Sequence, residues 1–165
     1  MAKHRRQRPE GDPTVVRILE LVRDELTQHK RFDSYADPDM SGACAIASYV
    51  GYVALRAMGY EPEFVSAWRI DFDSGHLSSH CWLELDGLRY DATATQYGTK
   101  DWVFVTDASI RHQYYDRYDK RLYGSAALYE VMDPSVWGEQ SPQRYGSWVK
   151  STVRKLQDRV QDACA

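Results

Sequence analysis

Cysteine is scarce in this chain: only Cys44, Cys81 and Cys164 occur among 165 residues. An odd handful without a Cys-x-x-Cys pair fits neither a disulfide framework nor a structural zinc site, so a reducing compartment and no bound metal are predicted. Long apolar runs are missing as well. None approaches the roughly 18 residues of a membrane span, and the N-terminus has no apolar signal core. The chain therefore reads as soluble and cytoplasmic with no membrane partner, although export of a toxin or effector without a cleaved signal stays open. Glycine-rich phosphate loops are absent, so no nucleotide cofactor is called for. Positive charge is not in excess: a net charge of −3 and a pI of about 5.9 argue against a general nucleic-acid binder. The exception is the start, where Lys3, Arg5, Arg6 and Arg8 stand against Glu10, and residues 1–12 read as a basic, flexible arm.

What is present suffices for one good core. A mass of 19.1 kDa with 43% hydrophobic residues predicts a single domain over residues 13–165. Asp12-Pro13 makes an N-cap and first-turn pair, and Val15, Ile18, Leu19, Val22 and Leu26 form a helical apolar stripe up to about Lys30. A second run, Cys44 to Met58, stops at Gly59 as a helix with a C-terminal glycine does. It is apolar almost all round, which marks it as a central helix packed against a sheet. Phe64 to Phe72 alternates as a strand leading into a loop over residues 73–79, and Trp102 to Val105 reads as another strand. Trp148, Val149, Val153, Leu156 and Val160 mark a final amphipathic helix. Helices before and beside an antiparallel sheet predict an α+β fold, with a central cysteine-bearing helix on the sheet and flanking helices.

Cys44 carries the strongest chemical signal. In the first turn of its helix the unpaired N–H groups and the positive end of the dipole favour thiolate over thiol, and its own N–H is a candidate oxyanion donor. Gly42, Ala43 and Ala45 leave room for a carbonyl beside it. The bland alternative is a small buried hydrophobe in an apolar helix. The partners argue otherwise. His80 to Leu85 and Leu88 to Thr93 alternate as strands around Asp86-Gly87, the favoured dipeptide of a two-residue type I′ hairpin turn. If Leu85 faces Leu88, Trp82 faces Asp91 and His80 faces Thr93. His80 and Asp91 are then diagonal neighbours on one face, about 7–8 Å apart along the backbone, within reach of an imidazole-to-carboxylate bond. A three-residue turn with a bulge would instead place Asp91 across from Cys81. Cys81 falls on the face opposite His80 and reads as core, Glu84 as a cross-strand partner of Arg89, and Cys164 as a frayed chain end.

These residues resemble the transglutaminase-like members of the papain-like cysteine fold. The likeness lies in a Gly-x-Cys heading a helix, in His80-Cys81-Trp82-Leu83-Glu84, and in Tyr90-Asp91-Ala92-Thr93 closing the hairpin. It covers about Asp39 to Gln96. Ala45 stands where an aromatic follows the papain nucleophile, which favours the branch with short spacing. The resemblance implies a catalytic triad of Cys44 as nucleophile, His80 as base and Asp91 as its orienter, acting without cofactor or metal on a protein, peptide or amide substrate. Peptidase or deamidase chemistry is preferred to cross-linking, because no second pocket for an amine is visible. Where papain-type enzymes place a Gln before the Cys, this chain has Tyr35 to Met40. The candidate oxyanion or substrate contacts are Ser41, which more simply caps the helix, Trp82 and Gln96. That gap sustains two rivals: a non-catalytic binding or structural module, and a redox sensor built on Cys44. His76 with His80 and Cys81 is a weak metal set, while His29 and His112 read as solvated. The tyrosines at 114, 115, 118, 123 and 129 read as half-buried packing, or as the lining of a substrate groove.

Overall fold

Asp12 opens the first helix, α1 (Pro13–Gln28), by accepting from the Thr14 N–H at 2.8 Å and the Val15 N–H at 3.4 Å. The stripe that follows, Val15, Ile18, Leu19, Val22 and Leu26, is fully buried, each side chain contributing about 1.5–3 kcal/mol. The computed structural model describes residues 8–28, 42–70 and 77–164. The central helix is α2 (Cys44–Ala57), closed by Met58 and a left-handed Gly59. Then come β1 (Glu63–Ile70), β2 (Leu77–Leu85), β3 (Leu88–Asp91), a 3₁₀ turn at Ala94–Tyr97, β4 (Phe104–Asp107) and β5 (Lys120–Tyr123). Two short helices, α3 (Ser125–Val131) and α4 (Pro134–Trp137), lead through 3₁₀ turns to α5 (Gly146–Cys164).

The five strands form one antiparallel sheet in the order β4-β3-β2-β1-β5, so the fold is α+β. Asp86 and Gly87 both take positive φ, 51° and 76°, as a type I′ turn requires. The pairs Leu85–Leu88, Glu84–Arg89 and Leu83–Tyr90 follow the register of a two-residue turn. One face carries Phe64, Cys81 and Leu83, against which α2 packs, with α1 and α5 packed in turn on α2. The other carries Val65, Ala67 and Trp82, covered by Ala94, Phe104, Tyr115 and Tyr118.

Four departures from the sequence reading follow from the packing. The fourth strand starts at Phe104 rather than Trp102, because Arg23 of α1 occupies the preceding loop. Its guanidinium donates to Ala92 O at 3.2 Å, Thr95 Oγ1 at 3.0 Å and Trp102 O at 3.1 Å, and lies 5.0 Å from the Trp102 ring centre. The same bonds remove Ala92 and Thr93 from β3, which ends at Asp91. Strand β5 and helices α3 and α4 are additions to the predicted elements; β5 is a four-residue edge strand with no apolar alternation to reveal it, and α3, at seven residues, is too short to show a helical stripe. Within the stretch read as a flexible arm, Arg8 bonds Asp101 at 2.6 Å, and the Asp12 N–H donates to the Tyr90 hydroxyl at 2.9 Å. Residues 1–7 and the expected strand end and loop at 71–76 lie outside the described residues. No described helix is long and apolar enough to cross a membrane.

A Cβ at Gly87 would meet nothing within 4 Å, so Gly87→Ala tests backbone conformation alone. It should cost about 1–2 kcal/mol, lowering the thermal midpoint by about 2–8 °C in a denaturation scan. Gly87→Asn, which tolerates the left-handed region, should lose less.

Candidate functional site

The hairpin parity determines what β2 offers the site. Residues flanking a two-residue turn form a hydrogen-bonded pair, and the pairs alternate thereafter. The backbone groups of Leu85, Leu83 and Cys81 therefore point toward β3, and those of His80 and Trp82 toward β1. Since β3 stops at Asp91, nothing in the sheet takes the Cys81 N–H, and the strand edge is open beside His80. The N-terminus of α2 fills this notch. Cys44, buried in the helical layer, receives hydrogen bonds from both the Cys81 thiol and the Cys81 backbone N–H, and is bonded to His80 as well. Its helix starts from Ala43 without a side-chain cap, so first-turn N–H groups remain available. Ser41 lies outside the described residues.

His80 projects to the opposite face of the sheet, across from Ala67. Its Nε2 donates to Asp91 Oδ2 at 2.7 Å, with both side chains fully buried. Asp91 is a saturated acceptor: the Thr93 N–H at 2.8 Å and hydroxyl at 3.2 Å bond Oδ1, and the Tyr115 hydroxyl at 2.9 Å bonds Oδ2. With Nε2 committed, Nδ1 faces Cys44 and the Gln96 amide, which lies 3.1 Å away. The amide nitrogen is the atom against Nδ1 and donates to the neutral ring; a half-turn of the amide would let its oxygen accept from the imidazolium. Around the imidazole, Tyr118 stacks at 6.0 Å between ring centres, and Tyr97 meets it edge-on at 5.1 Å. The Tyr97 and Tyr118 hydroxyls bond each other.

These contacts separate the charges. The Cys44 thiol is pulled down to about 5, first by the Cys81 thiol that donates to it, then by the bond and charge of His80, against the burial that opposes ionisation. Burial would lower His80, but the Asp91 charge and bond, reinforced by Cys44, raise it to about 10. Burial likewise pushes Asp91 up, and His80, Thr93 and Tyr115 together hold it below the usual carboxylate range. The Cys81 thiol is pushed well above its ordinary value by burial and by the neighbouring Cys44, so it stays protonated and donates. Between about 5 and about 10 the pair is a thiolate and an imidazolium.

Cys44 opens onto a cavity of about 440 Å³ whose lining includes Gln96, Tyr97, Tyr118 and Gln140. Gln96, a candidate oxyanion donor, is thus in the site and attached to His80. Trp82 is not free to serve as one: its indole N–H donates to Glu84 Oε1 at 3.0 Å. Glu84 is thereby engaged on its own strand. It stands opposite Arg89 in register, yet the Arg89 guanidinium donates to Thr106 and lies 4.1 Å from the centre of the Tyr115 ring. His112 is not solvated but packs on Phe104 and Tyr114, with burial lowering its basicity. Cys81 is core, as read, and also a ligand to the Cys44 sulfur. Sequence reasoning missed that role, together with those of Tyr115, Thr93 and Gln140. The parity of Cys81 in the hairpin could have suggested the first. Cys164 ends α5, and His29 and His76 lie outside the described residues. Among the described residues no cluster of three or more His, Cys, Asp or Glu could hold a metal ion.

The rate of iodoacetamide labelling at Cys44, followed by mass spectrometry, should rise as pH passes upward through about 5 and stay high through neutrality. A thiol lowered from 9.0 is already ionised there. In His80→Ala the rise should move toward alkali, and Cys81 should remain unlabelled in the folded chain. No family model, curated protein or solved structure matches this chain.

Proposed function

We propose that this chain is a cysteine-dependent acyl-transfer enzyme acting on an amide or peptide bond, a transglutaminase-like member of the papain-like cysteine fold. The observation that carries the reading is the convergence of three elements on one buried relay: the Cys44 sulfur on His80, and His80 Nε2 on Asp91 at 2.7 Å. The geometry supplies what nucleophilic catalysis needs, a base in contact with the nucleophile and a third group orienting the base.

In this mechanism the Cys44 thiolate attacks the carbonyl carbon, forming the C–S bond while the carbonyl electrons move to oxygen. The oxyanion has the Cys44 N–H and the amides of Gln96 and Gln140 as donors within the site. Collapse expels the amine, which takes its proton from His80 Nδ1, and leaves a thioester. His80, now neutral, removes a proton from water, and the hydroxide releases the acid and regenerates the thiolate. Asp91 keeps the proton on Nε2 throughout, so that Nδ1 faces the reaction. Hydrolysis is preferred to cross-linking because one cavity of the described residues takes in Cys44, and water needs no pocket of its own.

A p-nitrophenyl ester tests the acylation step directly. The chain should release a burst of nitrophenolate of about one equivalent per Cys44, with the acyl group recovered on the Cys44 peptide. Cys44→Ala should give none. Asp91→Asn should slow the burst by about 10²–10⁴-fold, the usual range for a disabled acid–base relay. A burst of equal size in Cys44→Ala, or none in the native chain, would leave the non-catalytic module as the reading.

A further inference from the structure

We propose that the site selects substrates bearing a carboxylate close to the scissile carbonyl, and that Arg69 and Arg117 are its specificity residues. The inference rests on the acyl-transfer reading and names the substrate class for it.

Both arginines line the cavity onto which Cys44 opens, and no Asp or Glu is among the described residues lining it. Arg69 stands on β1 opposite Ser78, two residues along from the Ala67–His80 pair. Strand alternation therefore puts it on the His80 face. Arg117 is held by aromatic contact, its guanidinium 4.8 Å from the centre of the Tyr97 ring, and that ring meets His80 edge-on. Arg8, Arg17, Arg121, Arg144 and Arg159 each pair with a carboxylate, whereas neither Arg69 nor Arg117 forms an ion pair among the described residues. In a chain of net charge −3, two cations without an ion pair among the described residues line the same cavity as the Cys44 sulfur. Set against the thiolate and Asp91, they and the imidazolium leave an excess of one positive charge among these described groups. The two planar forks match the geometry of a carboxylate, the anion that peptides themselves supply. Ser78, Ser79 and Gln140 add neutral hydrogen-bonding groups beside them.

Two alkylating reagents of similar size separate this proposal from the catalytic reading. Iodoacetate and iodoacetamide each form a C–S bond with release of iodide, but only the first carries a carboxylate. The measured quantity is the ratio of their rate constants at Cys44, relative to the same ratio for glutathione in the same tube. The ratio should favour iodoacetate in the native chain and fall about two- to threefold in Arg69→Ala or Arg117→Ala, and by up to about tenfold in the double variant. Arg154→Ala, an exposed arginine on α5 away from this pocket, should keep the native ratio. Two protectors against iodoacetamide then assign the source of the carboxylate: an amidated tripeptide with an acidic side chain, and a neutral tripeptide with a free C-terminus. The one that protects the native chain but not the double variant names the source. Fast alkylation with a ratio indifferent to both arginines, or protection by neither peptide, overturns the carboxylate proposal and leaves the thiolate standing. Slow alkylation of Cys44 by both reagents overturns the acyl-transfer reading and this proposal with it.

Discussion

The bond from His80 to Asp91 constrains more of this molecule than its size suggests. Both side chains are fully buried, and an isolated carboxylate taken out of water loses several kcal/mol of solvation. It is tolerable only when every lone pair finds a donor, and each donor comes from a different demand on the fold. Thr93 must have left the strand for its N–H to turn back on Asp91, which Arg23 secures from α1 by taking the Ala92 carbonyl. Tyr115 must lie over the second face of the sheet, so the segment after β4 folds back across it. Helix, strand end and aromatic cover are tied to one carboxylate.

The same strand end that frees Thr93 opens the notch for Cys44. Had β3 continued past Asp91, Ala92 would have paired with Cys81 and occupied the edge where Cys44 now sits. The sulfur is thus bonded from the backbone and side chain of Cys81 on one side and by His80 on the other, although Cys81 and His80 face opposite surfaces of the sheet. A helix start alone lowers a thiol modestly. It is the convergence of neutral donors and an imidazolium in a buried place that makes the thiolate the stable form. The aromatic cover completes this arrangement by shielding the imidazole with Tyr97 and Tyr118 while leaving the sulfur open to a polar cavity.

Much of this was legible in the amino-acid order, and for local reasons. The Asp86-Gly87 turn selects its own type, the type sets the register, and the register sets His80 and Asp91 on one face. The apolar stripe of α1 and the apolar run of α2 report burial directly, because helical spacing converts into one side of a cylinder. Trp82 illustrates the limit. Its residue type permits an oxyanion donor or a core ring, and the choice was made by Glu84, two residues along on the same face. The tyrosines after residue 112 show the same limit on a larger scale. Tyr115 and Tyr118 are buried against the site while Tyr129 is exposed, and no periodicity distinguishes them.

The chain order by itself determined the elements whose signals lie within a few residues: the capped first helix, the cysteine-headed second helix, the hairpin, and through the hairpin the pairing of His80 and Asp91. Tertiary structure alone decided which residues meet across long separations: Arg23 with the loop after β3, Tyr115 with Asp91, Cys44 with Cys81, and two arginines from β1 and the aromatic segment around one cavity. The physical reason is that backbone conformation responds to immediate neighbours. The state of a buried charge depends on every dipole and charge that folding brings within a few ångströms, and these arrive from segments that carry no local mark of their destination.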